Sequence, residues 1–152
     1  MAIDLTPHKA LAEAIAKAKK VILYEGLPHQ KWEAALLARE RKEKKFVSKH
    51  GFPYYEETLA LKDADAKALT ELVSQKSSFH AWGGMKWCGG FHPDYLIEWV
   101  VGKEVYQMAV CLGCHEVRVY GPKLEHYWDV DEEAYVKFKE TLRAYRKNRP
   151  QK

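Results

Sequence analysis

Hydrophobic positions along this chain follow two periods, and the switches between them mark out helices and strands. After Thr6-Pro7, a cap followed by a first helical residue, apolar positions at Leu11 and Ile15 predict a helix to about Lys19. Val21 to Glu25 is a short apolar run stopped by Gly26 and reads as a buried strand. Pro28 predicts the start of a second helix with Trp32, Leu36 and Leu37 on its inner side. A turn at Gly51 then leads into a strand from Tyr54 to Leu61, which Pro53 confines to a strand start or sheet edge. Asp63 caps a third helix whose Leu69, Leu72 and Val73 face inward. Asp131 caps a last helix with Tyr135, Phe138, Leu142 and Tyr145 at helical spacing, and the tail RKNRPQK reads as frayed.

The clearest alternation lies between Cys88 and Gly121. Tyr95–Val101 and Glu104–Cys111 are rich in β-branched and aromatic residues and are separated only by Gly102-Lys103. Glycine in the first central position suits a type II′ hairpin turn. That turn sets Val101 opposite Glu104, Trp99 opposite Tyr106, Ile97 opposite Met108 and Tyr95 opposite Val110, an apolar face. Leu96 and Ala109, Glu98 and Gln107, and Asp94 and Cys111 then share the other face. Reading Leu112-Gly113 as a second two-residue reversal pairs Cys111 with Cys114, Met108 with Val117 and Tyr106 with Val119. Arg118 then falls beside Gln107 and Glu98. Leu124 to Trp128 adds a short strand. The pattern predicts one α+β domain over residues 1–152, an antiparallel sheet of about five strands with a three-strand meander, packed by the N- and C-terminal helices.

This meander gathers the chain's chemistry at one sheet end. Cys111, Cys114 and Asp94 fall side by side there, with His92 just beyond and Cys88 within reach through the flexible Gly89-Gly90. Cys88, His92, Cys111 and Cys114 offer the thiolates and imidazole that tetrahedral zinc prefers, with Asp94 as a spare or supporting ligand. Cys111-Leu-Gly-Cys114-His115 resembles the c-type haem attachment motif, which implies thioethers at Cys111 and Cys114 and iron ligation by His115. In the register above His115 points away from the two sulfurs, which a haem does not allow. The third possibility is buried thiols, or a disulfide between two cysteines with the third left free. A Cys/His nucleophilic pair, Cys88 or Cys111 with His92 and an orienting Asp94, is better explained as ligands or a disulfide. The aromatic-glycine segment with His80, Trp82, Trp87 and Phe91 reads as an irregular loop plugging the sheet edge.

Composition narrows the function classes without choosing one. The 152 residues are 47% hydrophobic and 30% charged, which suits one well-cored soluble domain. A net charge of +4, from 25 Lys and Arg against 21 Asp and Glu, is too small to argue for nucleic acid. No apolar run approaches the ~20 residues of a membrane span. The basic segment 39–49 reads as a solvated helix face and, more sharply, as a surface for an anionic partner. Glu25 reads as a solvated strand carboxylate, and His8 and His29 as surface histidines. No phosphate-binding loop, zinc-protease helix or nucleophile elbow is present. The N-terminus lacks a signal-like region, so the expected compartment is the cytoplasm, or an exported location if a signal has been removed.

The pattern VILYEGLPH … HGFPYY … KWCGGFHPDYLIEW … CLGCHEVRVYGP … YRKNRP is similar to that of a group of small uncharacterised bacterial proteins. The resemblance implies that Cys88, His92, Asp94, Cys111 and Cys114 lie in that group's signature segments, and it carries no activity. The function expected from the residues is therefore a non-enzymatic binding protein with a Cys/His site holding structural zinc. A haem protein for electron transfer or gas sensing, or a disulfide-stabilised exported domain, is the alternative.

Overall fold

A computed structural model describes residues 6–151. Its elements are α1 (Thr6–Ile15), β1 (Lys20–Glu25), α2 (Ala34–Glu43), β2 (Phe46–Lys49), β3 (Phe52–Tyr55) and α3 (Asp63–Ser74). After a single 3₁₀ turn at Lys76–Ser78 come β4 (Phe79–Ala81), β5 (Tyr95–Val101), β6 (Glu104–Cys111), β7 (Glu116–Gly121), β8 (Leu124–Val130) and α4 (Glu132–Arg143). Six strands form one antiparallel sheet in the order β1-β5-β6-β7-β8-β4, and β2 and β3 form a separate hairpin. The architecture is α+β, with one strand more in the main sheet than the hydrophobic pattern predicts.

The β5–β6 hairpin has the register that Gly102 dictates. Gly102 has φ +61°, and Val101 faces Glu104, Trp99 faces Tyr106 and Ile97 faces Met108. Only glycine takes that positive φ cheaply, so the turn pins the pairing. The β6–β7 register differs from the expected one by two residues. Cys111 pairs with Glu116, Val110 with Val117 and Met108 with Val119, so Leu112–His115 is a four-residue loop in which His115 takes φ +54°. A slip of two preserves the face of every side chain, so the alternation was satisfied by either register. Arg118 therefore lies opposite Ala109 instead of Gln107, and pairs with Glu116. Glu98 and Gln107 do face each other, with Gln107 Nε2 donating to Glu98 Oε2 at 2.6 Å.

One face of the sheet packs under three helices. Leu11 and Ile15 of α1, Leu69, Leu72 and Val73 of α3, and Ala134, Phe138 and Leu142 of α4 cover Tyr95, Ile97, Trp99, Met108, Val110, Val117 and Val119. Trp99 is fully buried and its indole donates to Thr70 Oγ1, which satisfies the one polar atom this large ring carries inward. The opposite face is smaller. Leu96, Ala109, Cys111 and Tyr120 lie in one cluster with Tyr54 of β3, Phe91 and Cys114.

Several local expectations give way to tertiary contacts. The second helix starts at Ala34 and not at Pro28, because His29 N–H donates to Glu33 Oε1 and holds 29–33 as a turn. Trp32 consequently points outward and is 60% exposed. The strand after Pro53 stops at Tyr55, beyond which only an isolated bridge joins Leu59 to Leu23. The basic segment 39–49 is not wholly a solvated face, since Glu40 is buried and accepts from the Tyr55 hydroxyl and from Lys44. His8 is buried between Phe79 and Trp128 with Nε2 on the Val73 carbonyl. Trp82 and Trp87 do not plug the sheet edge; both are exposed, and a short strand, β4, occupies that edge.

Candidate functional site

The three sulfurs share one region, but two of them are bonded. Cys88 and Cys114 form a disulfide across 26 residues with Cα atoms 5.5 Å apart. Gly89 and Gly90, both at positive φ, let the chain leave Cys88 sharply toward His92. Cys111 is the free thiol, buried in the same apolar cluster as Cys114, and burial pushes its pKa up to about 11. His115 goes the other way. Its ring stacks on Tyr135 of α4 at 3.6 Å, on the side of the sheet away from the sulfur cluster.

This arrangement bears directly on the zinc and haem ligand sets. With Cys88 and Cys114 joined, Cys111 is the one thiol left to ionise, and His92 Nε2 is already bonded to the Leu27 carbonyl at 2.6 Å. Asp94 Oδ2 accepts the Leu112 N–H and Oδ1 accepts from Arg149. Among the described residues, no group of three or more His, Cys, Asp or Glu side chains is arranged to hold a metal ion. A haem on Cys111 and Cys114 needs both thiols and an imidazole on their side, and here the imidazole is on the other side.

Around Asp94 the structure builds a buried charge knot that no local pattern announces. Arg149 Nη1 donates to Asp94 Oδ1 and Nη2 to Glu33 Oε1, each at 2.7 Å. Its own backbone N–H, with those of Lys147 and Asn148, donates to the Glu25 carboxylate, which is 1% exposed. The tail thus folds back onto Glu25 at the end of β1 instead of fraying. Three backbone donors solvate Glu25 in place of water, and a fork-shaped guanidinium bridges two carboxylates that would otherwise repel. Burial alone would raise the Asp94 carboxyl, but the hydrogen bonds from His92, Arg149 and the Leu112 N–H hold it below the usual carboxylate range.

Beside this knot lies a cavity of about 640 Å³ at the sheet end. The β6–β7 loop contributes Leu112, Gly113 and His115, helix α4 contributes Tyr135 and Arg143, and the returning tail contributes Arg146 and Arg149. Glu25 and Asp94 form part of its wall. The Tyr135 hydroxyl donates to the Leu112 carbonyl, which ties α4 to the loop. Of the residues expected as metal or haem ligands, Asp94 and His115 line this cavity. Cys88 and Cys114 anchor the loop from behind, and His92 lies next to Asp94. Arg143, Arg146, Arg149, Glu25 and Tyr135 were not anticipated as site residues. The clustering of arginines in YRKNRP was the available signal, but the carboxylates that Arg149 meets, Asp94 and Glu33, lie 55 and 116 residues away.

His29 sits between the charge knot and the disulfide. Its Nδ1 accepts from the Lys31 and Trp32 backbone N–H groups at 3.0 and 3.2 Å, and Nε2 faces the Cys88 carbonyl at 3.0 Å. This network assigns the neutral ring with its hydrogen on Nε2. Burial and the neighbouring His92 lower its pKa below the ordinary 6.5, outweighing the Cys88 carbonyl, Asp94 and Glu33. A depressed histidine pKa gives stability that is present above the unfolded value and lost as pH falls through the folded one. The urea midpoint should therefore decline between pH 7.5 and 5, and His29→Gln should flatten that decline. An equally steep decline in the variant would assign the effect elsewhere. Asp94 does not contribute there, because its lowered pKa acts only below about 4.

No protein-family model matches the chain, and no curated protein matches it. Among solved structures it is similar to a chain described as "Putative Lipoprotein from Clostridium perfringens", at 12% identity over 91% of both chains with a TM-score of 0.48. A likeness at that level carries no argument about function. None of the helices among the described residues is long and apolar enough to cross a membrane.

Proposed function

We propose that this chain is a non-enzymatic binding domain that works in its disulfide-linked form and takes a small ligand in the cavity at the sheet end. The observation that carries the reading is the construction of that cavity. Its walls come from the β6–β7 loop, α4 and the tail, and Cys88–Cys114, Asp94–Leu112 and Tyr135–Leu112 fix the loop among them. A concave site whose walls are held by cross-links and buried hydrogen bonds is preorganised, which lowers the ordering cost of binding. The remaining thiol is buried and its raised pKa makes it a poor nucleophile. A persistent disulfide also fits an oxidising compartment better than a reducing one.

A melting-temperature screen of the oxidised protein against anionic, neutral and cationic small molecules tests this reading, with intact mass and metal content measured on the same sample. A mass two hydrogens below that of the reduced chain and a ligand that raises the melting temperature are expected. No stabilising compound of any class would overturn the binding reading. A fully reduced protein carrying one equivalent of zinc would replace it with the zinc-site reading, and a mass increase by covalent haem with the haem reading.

A further inference from the structure

From the state of the charges lining this cavity we infer that its ligand is a small anion bearing phosphate or carboxylate groups, held by Arg143 and Arg146 beside His115. The inference rests on the binding-domain reading above and names the ligand class for the same site. The two acids in the wall are already spoken for. Glu25 accepts three backbone N–H groups from the tail, and Asp94 accepts from Arg149 and the Leu112 N–H. Arg149 spends its two terminal nitrogens on Asp94 and Glu33.

The other two guanidiniums have no such compensation. Arg146 donates from Nε and Nη2 to the carbonyls of Arg149 and Pro150, so it is oriented but makes no ion pair among the described residues, and no described acceptor lies on Nη1. Arg143 is exposed, and no described carboxylate lies within 4.0 Å of it. Lys139, one turn before Arg143 on α4 and at 5.8 Å over the Tyr135 ring, extends the positive stripe toward the cavity mouth. A planar guanidinium fork matches the oxygens of phosphate and carboxylate, and a partly enclosed site screens that attraction less than open surface does. The tethered Arg146 keeps its orientation before any ligand arrives, so less side-chain entropy is lost on binding.

A competing role for these arginines is local: positive side chains in and after the last turn of α4 offset the partial negative charge of its C-terminus. The two roles separate experimentally. Oxidised protein is titrated with inorganic phosphate, citrate, glucose and spermidine, followed by calorimetry and by amide shifts of His115 and Tyr135. Phosphate or citrate should bind one-to-one and shift both residues, more weakly at 0.5 M than at 0.05 M sodium chloride. Arg143→Gln with Arg146→Gln should weaken that binding at least about tenfold, since two charge-assisted contacts are lost. Anion binding unchanged in the double variant would overturn the assignment and leave the arginines their helix-end role. Glucose or spermidine shifting His115 and Tyr135 while both anions fail would overturn the ligand class but leave the binding domain standing. No response to any of the four would count against both.

Discussion

Replacing Arg149 with methionine should destabilise the fold by about 3–5 kcal/mol, the range for removing one partner from a buried ion-paired group. The guanidinium bridges Asp94 and Glu33, whose side chains are 15% and 5% exposed, so its loss sets two desolvated carboxylates against each other. The lowered pKa of Asp94 depends partly on that bridge, and without it burial would drive proton uptake at higher pH. Urea unfolding at pH 7 measures the effect directly. Adding Asp94→Asn to the variant should recover part of the loss, because it removes one of the two repelling charges. A single variant within about 1 kcal/mol of the parent would mean that water replaces the arginine and that the knot does not hold the tail.

Breaking the Cys88–Cys114 bond should cost about 3–4 kcal/mol by the chain-entropy account, given its separation of 26 residues. For a chain of this size that corresponds to a fall in melting temperature on the order of 10 °C. The damage should be local before it is global. The Leu112–His115 loop retains its Asp94 and Tyr135 bonds, but the segment from Cys88 to Phe91 is left to His29, Trp32 and Gln30, which grip it through the Cys88 and Phe91 carbonyls. Amide exchange should therefore accelerate first around residues 86–91 when a dithiol reductant is added. Reduced and oxidised protein that unfold at the same denaturant concentration would show that the bond constrains nothing the fold does not already constrain.

How far the sequence disclosed this molecule can be argued from neighbouring hairpins. The β5–β6 register was legible because Gly102 marks the turn and a one-residue error would have exposed Ile97 and Trp99. The β6–β7 register was not, because alternation has period two and a shift of two leaves Val117 and Val119 on the same face. The sulfur-bearing segments were recognisable as a group, yet spacing could not say which pair would bond. Glu25, Glu33 and Glu40 illustrate a different limit. Each is a carboxylate read as solvated or left without a role by its local pattern, and each is buried because a donor from another segment meets it: the tail backbone, Arg149 and Tyr55 respectively. Periodicity reports which face a residue lies on, and is silent about a donor from another element, whether 15 positions away, as for Glu40, or more than a hundred, as for Glu25 and Glu33. The cavity was not legible for the same reason, since Arg146 and Arg149 of its cationic lining belong to a tail that pattern alone reads as loose.

The return of residues 147–149 to Glu25 has a consequence for synthesis. Asn148 and Glu25 are separated by 123 residues, so a ribosome adding about 5–20 residues per second makes β1 some 6–25 s before its carboxylate can be satisfied. Throughout that interval Glu25 must stay hydrated, which keeps β1 from settling into its final place on the sheet edge. The domain is thus expected to complete itself only after residues 147–149 emerge, and a ribosome stalled before Lys147 should display a protease-sensitive nascent chain.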